Sequence, residues 1–303
     1  MTTMLEMVRR LRPLLQGGQS EDLSELAQPY EAGSGVMVMR YPKKNLAEGS
    51  MLSAGLVTFH VFETNSDNVT VRGVAGTDGS PDVDLPTGTL VRIRPQHSTF
   101  AMFDAINTAI DSISQPTMGL FSVASYAPTE VNREDGVYTL PDFPAPPIRL
   151  VSTRWRLVGT EKTEYTGNAE WIPQDGVVKV NGPLPWADQV EFLFACPFIR
   201  AATLDDVMLT DCLIDPVTEN IVLLGAAASL ALSNESRRVS LFAQGDSRRA
   251  EEVREGANIG VARMYSAEFQ AAVDAEYTRL TRLWPIMKSG HPMFDQTSPR
   301  WTR

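Results

Sequence analysis

The side chains able to do chemistry are few and scattered. His60, His97 and His291 are the only imidazoles, and none stands at ligand spacing from another histidine or from a cysteine. A zinc or iron site is therefore not expected. Cys196 and Cys212 form no paired motif and read as reduced, packed thiols. Asp78, Asp82 and Asp84 share a loop with glycine and proline and could offer oxygens to calcium, but their spacing departs from the known calcium loop. A solvated turn is the simpler expectation. Asp205, Asp206, Asp211 and Asp215 form a second acidic cluster among apolar neighbours, the arrangement of a capped, solvated helix face. No Gly-x-Ser-x-Gly elbow, phosphate loop or dinucleotide fingerprint occurs, and no carboxylate pair stands out for glycoside hydrolysis. The expectation is a protein without enzymatic activity, cofactor or metal.

What remains is chemistry of contact. Arg248, Arg249 and Arg254 interleave with Glu252 and other acids at helical spacing, which suits either a solvated helix face or ion pairs between subunits. Gly256 and Gly260 weaken the same helical stretch by about 1 kcal/mol each relative to alanine, so either another chain approaches closely there or the helix bends. Trp284, Met287, Phe294 and Trp301 lie at and beyond the end of that stretch, where no periodicity hides them. They either dock on a partner or fold back on their own chain.

These residues must be carried by elements, and the periodicity names them. Ile221 to Leu232 is almost purely apolar and should be an enclosed helix. A longer pattern follows, with Ala250, Val253, Ala257, Val261, Tyr265, Phe269, Val273, Tyr277, Leu280 and Trp284 on one stripe. From Ser247 to Trp284 it would reach about 57 Å. Thr3 and Glu6 form a capping box before a first helix that Pro13 kinks or shortens, and Ser98 caps another with Phe103, Ile106, Ile110 and Ile113 on one face. Thr203 to Leu213 is expected as a short helix before Pro216. Strand patterns fill the rest: Val36–Met39, Val57–Phe62, Val69–Arg72 and Leu90–Arg94, then Val123–Tyr126, Ile148–Val151, Trp155–Val158, Val177–Val180 and Val190–Phe194.

The predicted class is α+β: a bundle of four or so helices, one of them long and C-terminal, with two inserted β modules. The bundle is assigned residues 1–30, 98–120 and 200–284, the β insertions 31–97 and 121–199, and a C-terminal arm 285–303. At 303 residues with 43% hydrophobic and 21% charged side chains the chain is an ordinary globular one. No apolar run is read as reaching the ~18 residues of a membrane span. The first residues show no secretory signal pattern. A formal charge of −10 argues against a basic face that wraps nucleic acid.

The order of elements resembles that of the head–tail connector (adaptor) proteins of tailed bacteriophages. Val69 to Thr77 followed by Gly88 to Pro95 looks like their strand-turn-strand ahead of a helix, and Ser98 to Ser114 like their second helix. Val222 to Arg238 and the Tyr265 to Leu280 stripe resemble their third and fourth helices, and Trp171 to Phe194 their β insertion. The chain departs from them in its size and its two β modules.

The resemblance implies a virion protein of the neck, made in the host cytoplasm and joining capsid to tail in a closed ring, usually of about twelve copies. Trp284, Met287, Phe294 and Trp301 would dock on the portal. Arg248, Arg249, Glu252, Arg254, Gly256 and Gly260 would face the neighbouring subunit. A downstream neck or tail protein would bind below, and double-stranded DNA would pass without being gripped, since an acidic lumen repels phosphate. No membrane partner is implied. Two other classes stay open: a tail-end or baseplate protein binding a receptor or glycan through Trp155, Trp171 and Trp186, and a cell-wall hydrolase.

Overall fold

The computed structural model describes residues 1–16, 21–41, 46–65, 70–76, 78–114, 119–132, 134–157, 163–166, 169–180, 187–243 and 257–284. The chain divides into two compact units, one of Met1–Gln115 with Phe198–Ala275, the other of Pro116–Pro197 with Glu276–Arg303.

In the first unit, β1 (Asp22–Glu25), β2 (Val36–Val38), β3 (Met51–Ala54), β4 (Val57–Thr64), β5 (Thr70–Ala75) and β6 (Leu90–Ile93) pair antiparallel in the order β1-β6-β3-β4-β5-β2. The two outer strands then meet. Leu26 bridges Met39, the Ala27 N–H donates to the Val38 carbonyl at 2.8 Å, and the Arg40 N–H donates to the Glu25 carbonyl at 2.8 Å. The sheet closes into a small barrel, which shortens the edges left open. Its filling is Leu26, Met37, Met39, Leu52, Phe59, Val91 and Ile93, with Tyr30 edge-on to Phe59 at 5.0 Å. The register between β4 and β5 slips between Val61 and Glu63, and the extra residue, Phe62, turns out to solvent.

Three helices of this unit pack together. In α1 (Met4–Gln16) two of the first N–H groups, orphaned in any helix, donate to a turn from the far end of the sequence: Met4 to Asp206 O at 2.9 Å and Leu5 to Leu204 O at 2.8 Å. α1 continues past Pro13 to Gln16. In α2 (Thr99–Ile113) the Ser98 hydroxyl accepts from the Ala101 N–H at 3.0 Å, the expected cap. α3 (Pro216–Ala243) starts with proline in its first turn, and the Asp215 carboxylate accepts from the Thr218 N–H at 2.7 Å. Ile221 to Ala231 is buried almost all round against α1 and α2, as an apolar run without a polar face must be. Gly225 lets α3 sit there. A Cβ on it would come within 2.9 Å of the Phe269 ring and 3.1 Å of Ala109.

Pro216 to Ser233 is long and apolar enough to cross a bilayer by composition, contrary to the expectation that no run is; half of it is buried inside the protein. The 203–213 stretch is turns rather than the short helix expected. Asp206 and Asp211 accept from the Thr203 and Val207 N–H groups at 3.1 and 2.7 Å, so side chains compete for the amides a helix would use.

In the second unit, β10 (Thr163–Thr166), β9 (Arg149–Leu157), β13 (Ala187–Cys196) and β7 (Ser122–Tyr126) form one antiparallel sheet. A three-stranded sheet orders β11 (Ala169–Ile172), β12 (Val177–Val180) and β8 (Val137–Thr139). Aromatic rings join them. Tyr138 of β8 lies 5.0 Å from Phe192 and Trp171 of β11 lies 6.0 Å from Phe194, both phenylalanines being fully buried on β13. Ile148–Val151 and Trp155–Val158, expected as two strands, fall on the single strand β9 from Arg149 to Leu157, with Ile148 just before it and Val158 outside the described residues.

The predicted fold class is therefore corrected. The chain is mixed α+β and β-rich, with four helices and three antiparallel sheets among the described residues, not a helical bundle carrying β inserts. Each β region encloses a core of its own by closing or stacking, so neither depends on a bundle. A strand also lies where the bundle was assigned, at Asp22–Glu25.

Candidate functional site

The last described helix, α4 (Ala257–Leu283), carries Gly260 and most of the predicted apolar stripe, and Trp284 follows it directly. Its residues to Ala275 cluster with the first unit and those from Glu276 with the second. At about 100° per residue, Ala262, Tyr265, Phe269, Val273, Glu276, Tyr277 and Leu280 share one face, and all are buried or half-buried. Among the described residues the predicted stripe is thus the covered face, except that Ala262 is buried where Val261 was expected; Ala250 and Val253 lie outside the described residues. The Tyr265 hydroxyl donates to the Leu14 carbonyl at 3.1 Å, tying this face to the end of α1.

The opposite face is exposed and carries a narrow strip of small apolar residues, flanked by Arg263, Glu268 and Asp274. Gly260, Met264, Ala267, Ala271 and Ala275 follow one another at steps of three and four, with Val261 at the rim, and every one is exposed. Val261 and Met264 are 42% and 49% exposed. A Cβ on Gly260 would meet nothing within 4 Å, so close approach inside this chain does not explain that glycine. Of the described helical glycines, the one closely approached within the chain is Gly225. Arg248, Arg249, Glu252, Arg254 and Gly256 lie outside the described residues.

Trp284 is half-buried and already has a partner. The Arg154 guanidinium stands over its ring at 5.3 Å and also pairs with Glu191 at 3.7 Å. Nearby, burial holds Arg149 below the usual arginine range, with its guanidinium over Phe121 at 4.9 Å. Met287, Phe294 and Trp301 lie outside the described residues, as does Trp186. Trp155 and Trp171 are half-buried with their indole nitrogens enclosed.

Sequence reasoning missed one charged site. Arg12, buried on α1, grips Glu21 with Nη1 at 2.9 and 2.8 Å from its two oxygens, and Arg92 of β6 reaches the same carboxylate at 2.7 Å. Burial and the Arg92 charge hold Arg12 below the usual arginine range, against the opposing pull of Glu21. Leu15, His97 and Met102 complete the surround of a shallow cleft. The arrangement fastens α1 to the barrel and leaves no acid free for proton transfer. No sequence signal finds it, because Glu21 is nine residues from one arginine and seventy-one from the other.

The acidic loop does not converge on a cation. Asp82 and Asp84 accept from the Gly33 and Ala32 N–H groups, each at 2.8 Å. Asp78 is held below the usual carboxylate range: burial opposes this, but hydrogen bonds from Ser80 and Ser98 outweigh it. Among the described residues no group of three His, Cys, Asp or Glu side chains is placed to hold a metal.

Both cysteines are buried thiols. Burial pushes Cys196 up to about 11, and burial with the charges of Asp206 and Asp211 does the same for Cys212, also to about 11. At pH 8 about one thiol in a thousand is then thiolate. Neither cysteine should react with a disulfide reagent at pH 8 until the chain unfolds, when both should react within minutes; rapid native labelling would contradict the burial. Folded values above the unfolded one mean that this contribution to stability is complete below about pH 9 and is lost as pH rises towards 11.

No family model matches the sequence, and no curated protein matches it.

Proposed function

We propose that this chain is a structural subunit that closes into a ring with copies of itself, in the manner of a phage head–tail connector that joins capsid to tail and lets DNA pass. The observation that carries this reading is the second apolar face of α4, Gly260–Met264–Ala267–Ala271–Ala275, which the chain leaves in water. Burial of such a strip is favourable at about 25 cal/mol per Å², and small side chains let a neighbouring backbone come close. A net charge of −10 suits a channel that phosphate slides through rather than one that holds it. The chemistry in view supports a passive role: the buried carboxylates of Glu21, Glu219 and Glu276 each pair with an arginine.

The test is a charge placed on that face. Ala271→Arg should leave the circular dichroism and unfolding midpoint unchanged, because Ala271 is exposed in the single chain. Negative-stain images of the wild type should show rings, and the same preparation of the variant should show none. Rings that survive Ala271→Arg and Met264→Arg would move the subunit contact elsewhere; a wild type that forms none under any condition, with portal rings added, would remove the connector reading.

A further inference from the structure

We infer that Arg149, Tyr277 and Phe121 of the second unit form a binding site for a carboxylate side chain carried by a protein partner. Arg149 opens β9 and is half-buried, with its guanidinium carbon 4.9 Å from the centre of the buried Phe121 ring. The ring face compensates part of the charge but gives it no acceptor. Arg10, Arg12, Arg92 and Arg154 each pair with a carboxylate. Among the described residues Arg149 has no acid and no hydrogen-bond partner, in a chain with 37 aspartates and glutamates against 27 lysines and arginines. Burial holds its pKa down, and the group that opposes burial is the Tyr277 phenol rather than a carboxylate.

The surroundings supply donors and room. Tyr277 is half-buried on the part of α4 that clusters with the second unit, and among the described residues its hydroxyl has no hydrogen-bond partner. The phenol O–H and the guanidinium N–H groups are donors within electrostatic reach of each other. In the sheet, Ala195 of β13 stands between Arg149 of β9 and Val123 of β7 and pairs with both, so the row between them carries only a methyl group. A carboxylate suits this set. Its two oxygens match the guanidinium fork, the phenol adds a third donor, and its single charge balances a single cation. A phosphate brings more charge than one arginine offsets, and brings it to a chain of net charge −10. One half-exposed ion pair holds a free small acid weakly. A carboxylate delivered by a partner that makes further contacts of its own is held.

Phenylglyoxal, which modifies guanidinium groups, reads the site on the whole chain, with peptide mass spectrometry giving the rate at each arginine. Saturating acetate should slow modification at Arg149 about fivefold relative to chloride of the same ionic strength. The exposed Arg263 and Arg282 should not change. Half-protection should fall in the millimolar range. Tyr277→Phe should keep the rate in chloride within about twofold of wild type and remove most of the acetate protection, with circular dichroism unchanged. Equal rates at Arg149 in acetate and chloride, or protection as strong in Tyr277→Phe as in wild type, overturns the site.

Inorganic phosphate protecting better than acetate overturns the carboxylate assignment. Half-protection at micromolar acetate would mark a small-molecule site and overturn the partner. These rates are read on the chain alone, so they are decided whether or not it joins heads to tails. In joined particles, which exist only if the connector reading holds, Arg149 should react about fivefold more slowly than in the free chain with no acetate added. Equal rates there overturn the partner.

Discussion

Glu21→Ala is expected to destabilise the first unit by about 3–5 kcal/mol. The carboxylate pairs with both Arg12 and Arg92, the Glu21, Arg12 and Arg92 side chains being 9%, 10% and 21% exposed, so its removal leaves two like charges facing each other in a poorly solvated place. Denaturant unfolding followed by circular dichroism measures it. Replacing all three together, by Arg12→Met, Glu21→Leu and Arg92→Met, should cost far less than Glu21→Ala alone, because no charge is stranded. A loss under about 1 kcal/mol for Glu21→Ala would show that water reaches both arginines and that the triad is not a buried one.

Phe194→Ala should cost the second unit about 3–5 kcal/mol. Phe194 is fully buried and touches rings from two directions, Phe143 at 5.3 Å and Trp171 at 6.0 Å, so no neighbour can collapse into the space without moving another. Phe62→Ala is the comparison: that ring is 52% exposed beside the β4 irregularity, and its loss should stay within about 0.5 kcal/mol. A Phe194→Ala variant as stable as Phe62→Ala would mean that the two sheets of the second unit do not share a core.

Much of the local structure was legible because local rules decide it. Ser98 announces its helix by type and position. The run from Ile221 to Ala231 has no polar face, and burial all round is the only state available to it. What was not legible depends on residues far apart in sequence. Asp22–Glu25 is too polar to look like a strand, and it is one only because Leu90–Ile93 pairs with it along its whole length. Barrel closure rests on the Leu26–Met39 bridge, which no period reveals. Without that closure the strands look like an appendage needing a helical bundle, which is how the fold class came to be misjudged.

The contact surfaces divide along the same line. The stripe from Tyr265 to Leu280 stands out through its large side chains, and large side chains are what a chain buries against itself. The face left open is built of glycine, alanine and one methionine, types that read as filler in a sequence and become informative only once the other side of the helix is known to be occupied. Glycine misled for a related reason. Gly256 and Gly260 carry a recognisable spacing, whereas among the described helical glycines the one under steric demand is Gly225, alone in an apolar run.

The account depends on α4 using its outer face to meet another copy of the chain. Mass photometry of the purified protein over a hundredfold range of concentration, alone and with portal rings, tests this most directly. The account predicts a single closed species of many copies that grows at the expense of the 33.3 kDa chain and disappears with Ala271→Arg. A monomer at every concentration and in both mixtures would contradict it.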